Sequence, residues 1–218
     1  MIIDLPSPNF DERGDQDIDM LVLHYTGMKN SQAAKERLCD ASAKVSAHYL
    51  VEENGEIFRL VPEEKRAWHA GLSYWRGHRN INQRSIGIEI VNPGHEFGYR
   101  PFPPAQMEAV AWLCADILAR NRIPARNVVA HSDIAPTRKD DPGELFDWPW
   151  LAANGIGLFP AELVDPGESD KMLANFGYHM VSPSHAILAF QRRFRPHALT
   201  GEWDTECAML LAGLLKLV

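Results

Sequence analysis

Met20–Tyr25, MLVLHY, is an apolar run of strand length that ends in a histidine, and it reads as a buried β-strand. Ser85–Val91 (SIGIEIV) is a second such run, rich in β-branched residues, and Asn127–His131 (NVVAH) is a third. Between the first two, His48–Glu52 and Glu56–Val61 flank Asn54-Gly55, a strong signal for a hairpin. Helical signals alternate with these strands. Ser31 is placed to cap a short helix through Cys39. Pro104 opens a longer helix with Met107, Val110, Ala111, Cys114, Ile117 and Leu118 on one face. Strands interleaved with helices, plus one hairpin, predict an α/β fold: a central mixed β-sheet flanked by helices.

The pattern changes near Leu158. Residues 159–170 (FPAELVDPGESD) show no apolar period and read as a linker. Beyond it the sequence is helical. Leu173 and Phe176 mark one short helix, and Ile187, Phe190 and Phe194 mark a second that starts at Ser182-Pro183. Cys207, Leu210, Leu211, Leu214 and Leu215 mark a third, capped by Asp204 or Thr205. The expected organisation is an α/β domain over 1–158, a linker over 159–170 and a three-helix unit over 171–218. The linker and the separate bundle suggest a tether.

With 218 residues, 45% of them hydrophobic, the chain can bury a core without disulfide staples. It contains no apolar run of membrane-spanning length. Its 29 acids against 22 basic residues argue against a dedicated nucleic-acid binder. The first residues have neither the basic start nor the apolar core of a signal peptide, so the expectation is cytoplasmic, with periplasmic or exported as the alternative. Oligomeric state is left open. Cys39, Cys114 and Cys207 show no metal-finger spacing and read as reduced core residues. Charge is uneven. Residues 1–19 are acidic and read as a solvated, partly irregular leader. Lys65, Arg66, Arg76, Arg79 and Arg84 form a cationic stretch with no acid among them, suited to an anionic ligand.

Two histidines, His24 and His131, fall at C-terminal strand ends, where open α/β sheets place ligands. After His131 comes a long loop, predicted without regular structure, that carries Lys139 and Asp141 and can fold back on the two imidazoles. His, His and Asp are ligands that zinc accepts, with a fourth position left for water, as in catalytic sites. Bound zinc can lower the pKa of its water from about 15.7 to about 7. Glu89, an acid inside an apolar strand, is the candidate proton acceptor, although pairing with a nearby Arg would also explain it.

In order along the chain, LVLHYTG, SAHYLV, NGEIFRLV, AWHAG, NQRSIGIEIVNPG and VVAHSDIAPTRKDDPGELFDW resemble the zinc-dependent N-acetylmuramoyl-L-alanine amidases of the amidase-2 type. The likeness covers about residues 18–152. It implies a central mixed sheet with a zinc cleft, metal ligands at His24, His131 and Asp141, and catalytic roles for Glu89 and Lys139. It also implies one Zn²⁺ per chain and hydrolysis of the amide joining N-acetylmuramic acid to L-alanine in peptidoglycan or its muropeptide fragments. His48 lies in a shared motif and suits a structural or supporting role. His69, Arg79 and Arg84 are candidates for substrate binding. Trp68, Tyr74 and Trp75 suit either sugar faces or core packing. The tail, AILAFQRRFRP…TGEWDTECAMLLAGLL, is similar to small peptidoglycan-binding three-helix domains but carries Asp204 where their turn has a second glycine. Two rivals share these features: a non-catalytic peptidoglycan-recognition protein on the same fold, and another metallohydrolase such as a deacetylase.

Overall fold

A computed structural model of the chain describes residues 1–166 and 172–218. The first half contains β1 (Ile2–Asp4), β2 (Phe10–Glu12), β3 (Met20–Tyr25), α1 (Ser31–Cys39), β4 (Tyr49–Val51), β5 (Ile57–Arg59), β6 (Lys65–Ala67), α2 (Ile81–Arg84) and β7 (Ser85–Ile90). The second half contains α3 (Gly94–Phe97), α4 (Pro104–Arg120), β8 (Val128–Ala130), α5 (His131–Ile134), α6 (Trp148–Ala153), α7 (Met172–Phe176), α8 (Pro183–Phe194) and α9 (Thr205–Leu215). The main sheet runs β1-β5-β4-β7-β3-β8, and only the β4–β5 hairpin is antiparallel. This is the mixed sheet with flanking helices that the sequence predicts. No described helix is long and apolar enough to cross a membrane.

Strand alternation gives the sheet two different faces. Leu21 and Leu23 of β3, Ile86, Ile88 and Ile90 of β7, and Val128 and Ala130 at β8 share one apolar cluster with Met107, Val110, Leu113, Cys114 and Ile117 of α4. The residues between them face the other way. Met20, Val22 and Val129 pack there with Trp75 and Ile81, and with Phe176, Phe190, Phe194 and Leu211 of the C-terminal helices. The cysteines are free thiols, and Cys114 and Cys207 are buried.

Several expectations need correction. The helix α1 is capped by Asn30, whose Oδ1 accepts from Ala33 N at 2.9 Å, not by Ser31. The acidic leader is not simply solvated. Its β1 extends the sheet beside β5, and its β2 pairs antiparallel with β6, setting Asp11 against Arg66 and Glu12 against Lys65. Lys65 Nζ reaches Glu12 at 2.7 Å, Arg66 bonds Asp11, and Arg84 Nε donates to Asp19 Oδ1 at 2.7 Å. Lys65, Arg66 and Arg84 are therefore neutralised by the leader, whereas Arg76 and Arg79 meet no leader acid among the described residues. The segment after His131 begins as the helical turn α5 rather than as an open loop.

The C-terminal helices pack against the sheet. Part of the expected linker, residues 167–170, lies outside the described residues. Asp133 of α5 is fully buried and accepts from Arg193 Nη1 at 2.7 Å, Tyr178 OH at 2.5 Å and Ala130 N at 2.9 Å. The Arg193 guanidinium also lies 4.0 Å from the centre of the Trp148 ring. Nearby, Arg192 Nη2 reaches Asp140 Oδ1 at 2.8 Å. Asp204 caps α9, its Oδ1 accepting from Cys207 N at 3.0 Å, and pairs with Arg195. That gives this departure from the peptidoglycan-binding pattern a structural job.

Removing one partner of a buried ion pair leaves the other charge unpaired, at a cost of about 3–5 kcal/mol. Arg193→Ala is therefore expected to lower unfolding stability by about that amount, read from urea denaturation. A loss below about 1 kcal/mol would show that the Arg193–Asp133 pair does not hold the helices on the sheet.

Candidate metal centre and active site

The parallel register of β3 and β7 sets His24 beside Glu89, and that of β3 and β8 sets Leu23 beside Ala130. His131 follows Ala130, so its ring arrives at the same end and the same face as His24. The chain then runs through α5 and returns. Ser132 N donates to the Asp141 carbonyl at 3.0 Å, which brings the Asp141 side chain up to both rings.

Three donor atoms converge there. His24 Nδ1 lies 2.9 Å from His131 Nδ1, and each lies 3.1 Å from Asp141 Oδ2. All three residues are at most 4% exposed. In tetrahedral zinc sites with bonds of about 2.0–2.1 Å, neighbouring ligand atoms stand about 3.3 Å apart. The triangle is close to that size, and the donor set is one that a divalent metal ion accepts. His131 Nε2 lies 3.2 Å from the Ala70 carbonyl, which can only accept. That nitrogen therefore carries a proton, and Nδ1 offers the lone pair.

Electrostatics agree with a ligand set. Burial, followed by the neighbouring His131, pushes His24 down to about 4, so it is neutral at pH 7. Burial opposes ionisation of Asp141, but the adjoining imidazoles of His131 and His24 outweigh it. They hold the carboxyl well below the usual range. Glu89 behaves oppositely. Burial, then the Asp141 charge, raises its pKa well above the ordinary carboxylate value, with Lys139 opposing. Its Oε2 has no hydrogen-bond partner among the described residues. It faces a cavity of about 320 Å³ that also receives His131, Asp141, Lys139, Arg138 and Arg37.

The remaining candidates divide. His69 forms part of the cavity wall but is only 6% exposed, and both ring nitrogens are engaged: Nδ1 lies 3.0 Å from His24 Nε2 and Nε2 lies 3.1 Å from Ser85 Oγ. It contacts His24 and has no ring nitrogen without a partner. Arg84 is held by Asp19, and Arg79 lines a separate cavity of about 540 Å³ with Tyr74 and His179, so neither reaches the donor triangle. His48 is structural: its Nδ1 accepts from Gly87 N at 3.0 Å, and its Nε2 faces the Lys65 carbonyl. Trp75 is core, at 1% exposure, and Trp68 Nε1 donates to Asp11.

Sequence reasoning passed over Arg37, Arg138, Ser85 and Asn82. Arg138 holds the wall of the site by donating to the carbonyls of Ala70 and Leu72. Asn82 Oδ1 accepts from His69 N and Ala70 N, at 3.1 and 2.7 Å. Only β7 carried a signal for such roles, since Ser85, Gly87 and Glu89 alternate with three isoleucines on a strand.

A family profile of N-acetylmuramoyl-L-alanine amidases matches residues 14–144, the stretch that holds all of these groups. Escherichia coli AmiD, an N-acetylmuramoyl-L-alanine amidase, is 41% identical over 231 aligned positions, covering 91% of this chain and 83% of the relative. Escherichia coli AmpD, a 1,6-anhydro-N-acetylmuramyl-L-alanine amidase, is 36% identical and covers 66% of this chain and 86% of its own. The structure of AmiD in complex with anhydro-N-acetylmuramic acid-L-Ala-D-γ-Glu-L-Lys superposes with a TM-score of 0.81 at 40% identity, over 92% of this chain and 89% of that one. AmpDh3 from Pseudomonas aeruginosa gives 0.82 at 31% identity, over 97% and 94%. Sequence, fold and the converging donor triangle agree, and the chain belongs to the amidase-2 family of N-acetylmuramoyl-L-alanine amidases.

Proposed function

We propose that His24, His131 and Asp141 hold one zinc ion, and that the site hydrolyses the amide between N-acetylmuramic acid and L-alanine in muropeptides, 1,6-anhydro forms included. The observation that carries this reading is the donor triangle, 2.9–3.1 Å on a side, with the unpartnered Glu89 carboxylate in register beside it. Zinc bound there supplies a Lewis acid for the scissile carbonyl and lowers the pKa of water at the site.

The chain's own groups supply the rest. Glu89 accepts the proton of the attacking water and then returns it to the departing alanine nitrogen, which needs a proton to leave as an amine. A carboxyl with a raised pKa is suited to both halves of that transfer. Lys139 lines the same cavity and places an ammonium where the carbonyl oxygen gains charge. Arg37 and Arg138 bring positive charge to the cavity wall, where stem-peptide carboxylates would lie. They take the place of the Arg79 and Arg84 roles read from sequence. The relatives support the substrate class, since AmiD is described bound to an anhydromuramoyl peptide and AmpDh3 to an anhydromuramic pentapeptide.

Mass spectrometry of an anhydromuramoyl tetrapeptide digest is expected to show free stem peptide, with no product after chelation and recovery on adding Zn²⁺. Loss of acetate instead would make the chain a deacetylase, and no product from the zinc-loaded protein would make it a recognition protein. Asp141→Ala leaves two imidazoles, too few for tight binding, so zinc content measured by elemental analysis should fall well below stoichiometry. Full retention would remove Asp141 from the ligand set.

Glu89→Gln is expected to keep zinc while kcat drops by about 10²–10⁴-fold, because an amide cannot take the proton. The same change should stabilise the metal-free fold at pH 7. A carboxyl whose folded pKa is raised destabilises the fold at any pH above its unfolded value of about 4.3, and the penalty vanishes below that value. The Tm of Glu89→Gln should therefore exceed wild type at pH 7 and converge with it near pH 4. Turnover within about threefold of wild type would end the assignment of Glu89 as the proton carrier.

A further inference from the structure

His24 can bind a metal through Nδ1 only if its proton sits on Nε2, and a neutral imidazole in isolation has no strong reason to choose that arrangement. We infer that Ser85 and His69 are positioning residues that make the choice, through a one-way hydrogen-bond relay ending on the backbone carbonyl of Ile81. The inference rests on the metal-site reading above.

The direction follows from the last link. Ser85 Oγ lies 2.7 Å from the Ile81 carbonyl oxygen, which can only accept, so the single hydroxyl proton points there. Ser85 Oγ can then only accept along its 3.1 Å contact with His69 Nε2, which puts the His69 proton on Nε2. His69 Nδ1 is left bare and accepts along its 3.0 Å contact from His24 Nε2–H. His24 Nδ1 is left with its lone pair facing His131 and Asp141. The competing arrangement, His24 Nδ1–H donating to Asp141 at 3.1 Å, requires every proton in the relay to move and withdraws the Ser85 proton from Ile81.

Packing fixes the relay in place. His69 is buried, and its two ring nitrogens contact the His24 imidazole and the Ser85 hydroxyl, with no charged group at either. Gly87 stands under the ring, where a Cβ would come within 2.5 Å of His69 Cγ. On β7, then, Ser85 accepts the relay proton, Gly87 makes room for the ring and Glu89 faces the cavity. The backbone of the same segment serves the other ligand, since Ala70 accepts from His131 Nε2, and Asn82 pins both residues through their N–H groups.

Two measurements test the relay on the full chain. Long-range ¹H–¹⁵N spectra of the metal-free wild type should show His24 and His69 both protonated on Nε2. Ser85→Ala should move His24 toward the Nδ1–H form and weaken Zn²⁺ binding, measured by chelator competition, by about 10–100-fold. Ser85→Thr, which keeps the hydroxyl, should stay nearer wild type than Ser85→Ala does. A wild-type spectrum with either ring protonated on Nδ1 overturns the relay, as does a Ser85→Ala affinity within about twofold of wild type. If Ser85→Ala does not fold, the wild-type spectrum alone decides. A wild type that binds no Zn²⁺ refutes the metal-site reading instead, while its spectrum still judges the relay.

Discussion

The in-register parallel pairing of β3 with β7 determines what the rest of the structure has to do. It aligns Met20 with Ser85, Val22 with Gly87 and His24 with Glu89 on one face, and Leu21, Leu23 and Tyr25 with three isoleucines on the other. A slip of one residue would exchange those faces, burying Glu89 under α4 and turning isoleucines toward the donor triangle. Because Leu21, Leu23, Ile86, Ile88 and Ile90 are buried almost completely, the slip is prevented by the apolar face, with no contribution needed from the functional one. The hydrophobic effect sets the register, and the register brings the acid and the imidazole together.

This arrangement leaves a polar cluster at one end of a buried face, and the surroundings show how it is maintained. Further back along that face the layer is apolar and is covered by the C-terminal helices. Arg193 from α8 meets Asp133, two residues beyond His131, so the docked helices brace the turn that presents His131. The leader braces the opposite side, with Arg13 buried and donating to the carbonyls of Glu63, Lys65, Asn82 and Gln83. Arg193 lies far beyond Asp141 in sequence and Arg13 far before the segments it holds, yet both constrain the segments that orient the side chains of the site.

That distance explains what the sequence could and could not reveal. β3, β7, the Asn54-Gly55 hairpin and α4 were legible because each is encoded locally, by a period of two, a turn dipeptide or a helical stripe. His24, Glu89, His131 and Asp141 stood out through motifs, and the structure brings them to one end of the sheet. The pairing of Asp11, Glu12 and Asp19 with Arg66, Lys65 and Arg84 was not legible. It joins groups more than fifty residues apart, and charge alone does not reveal a partner. The contact of His69 with His24 was not legible, because a histidine near a cleft looks the same in sequence whether it faces substrate or another ring. The C-terminal helices were legible as helices, but their contact with Asp133 was not, because it is one acid in a segment read as loop.

The same reasoning separates the parts of the site that are rigid from those that are placed by a returning loop. His24 and Glu89 sit on strands whose neighbours on both sides are paired, and His131 is the first residue after a strand. Their positions are set by the sheet to within the tolerance of side-chain packing. Asp141 and Lys139 come from the segment after α5, which is fixed at a few points: the Ser132–Asp141 backbone bond, the Arg138 contacts with the Ala70 and Leu72 carbonyls, and the Arg192–Asp140 ion pair. Asp141 therefore completes a donor triangle whose other two corners are already in place. An ion bound between them would tie this segment to the sheet more firmly than any of those contacts alone, so metal affinity and the ordering of this wall of the cavity are a single thermodynamic quantity.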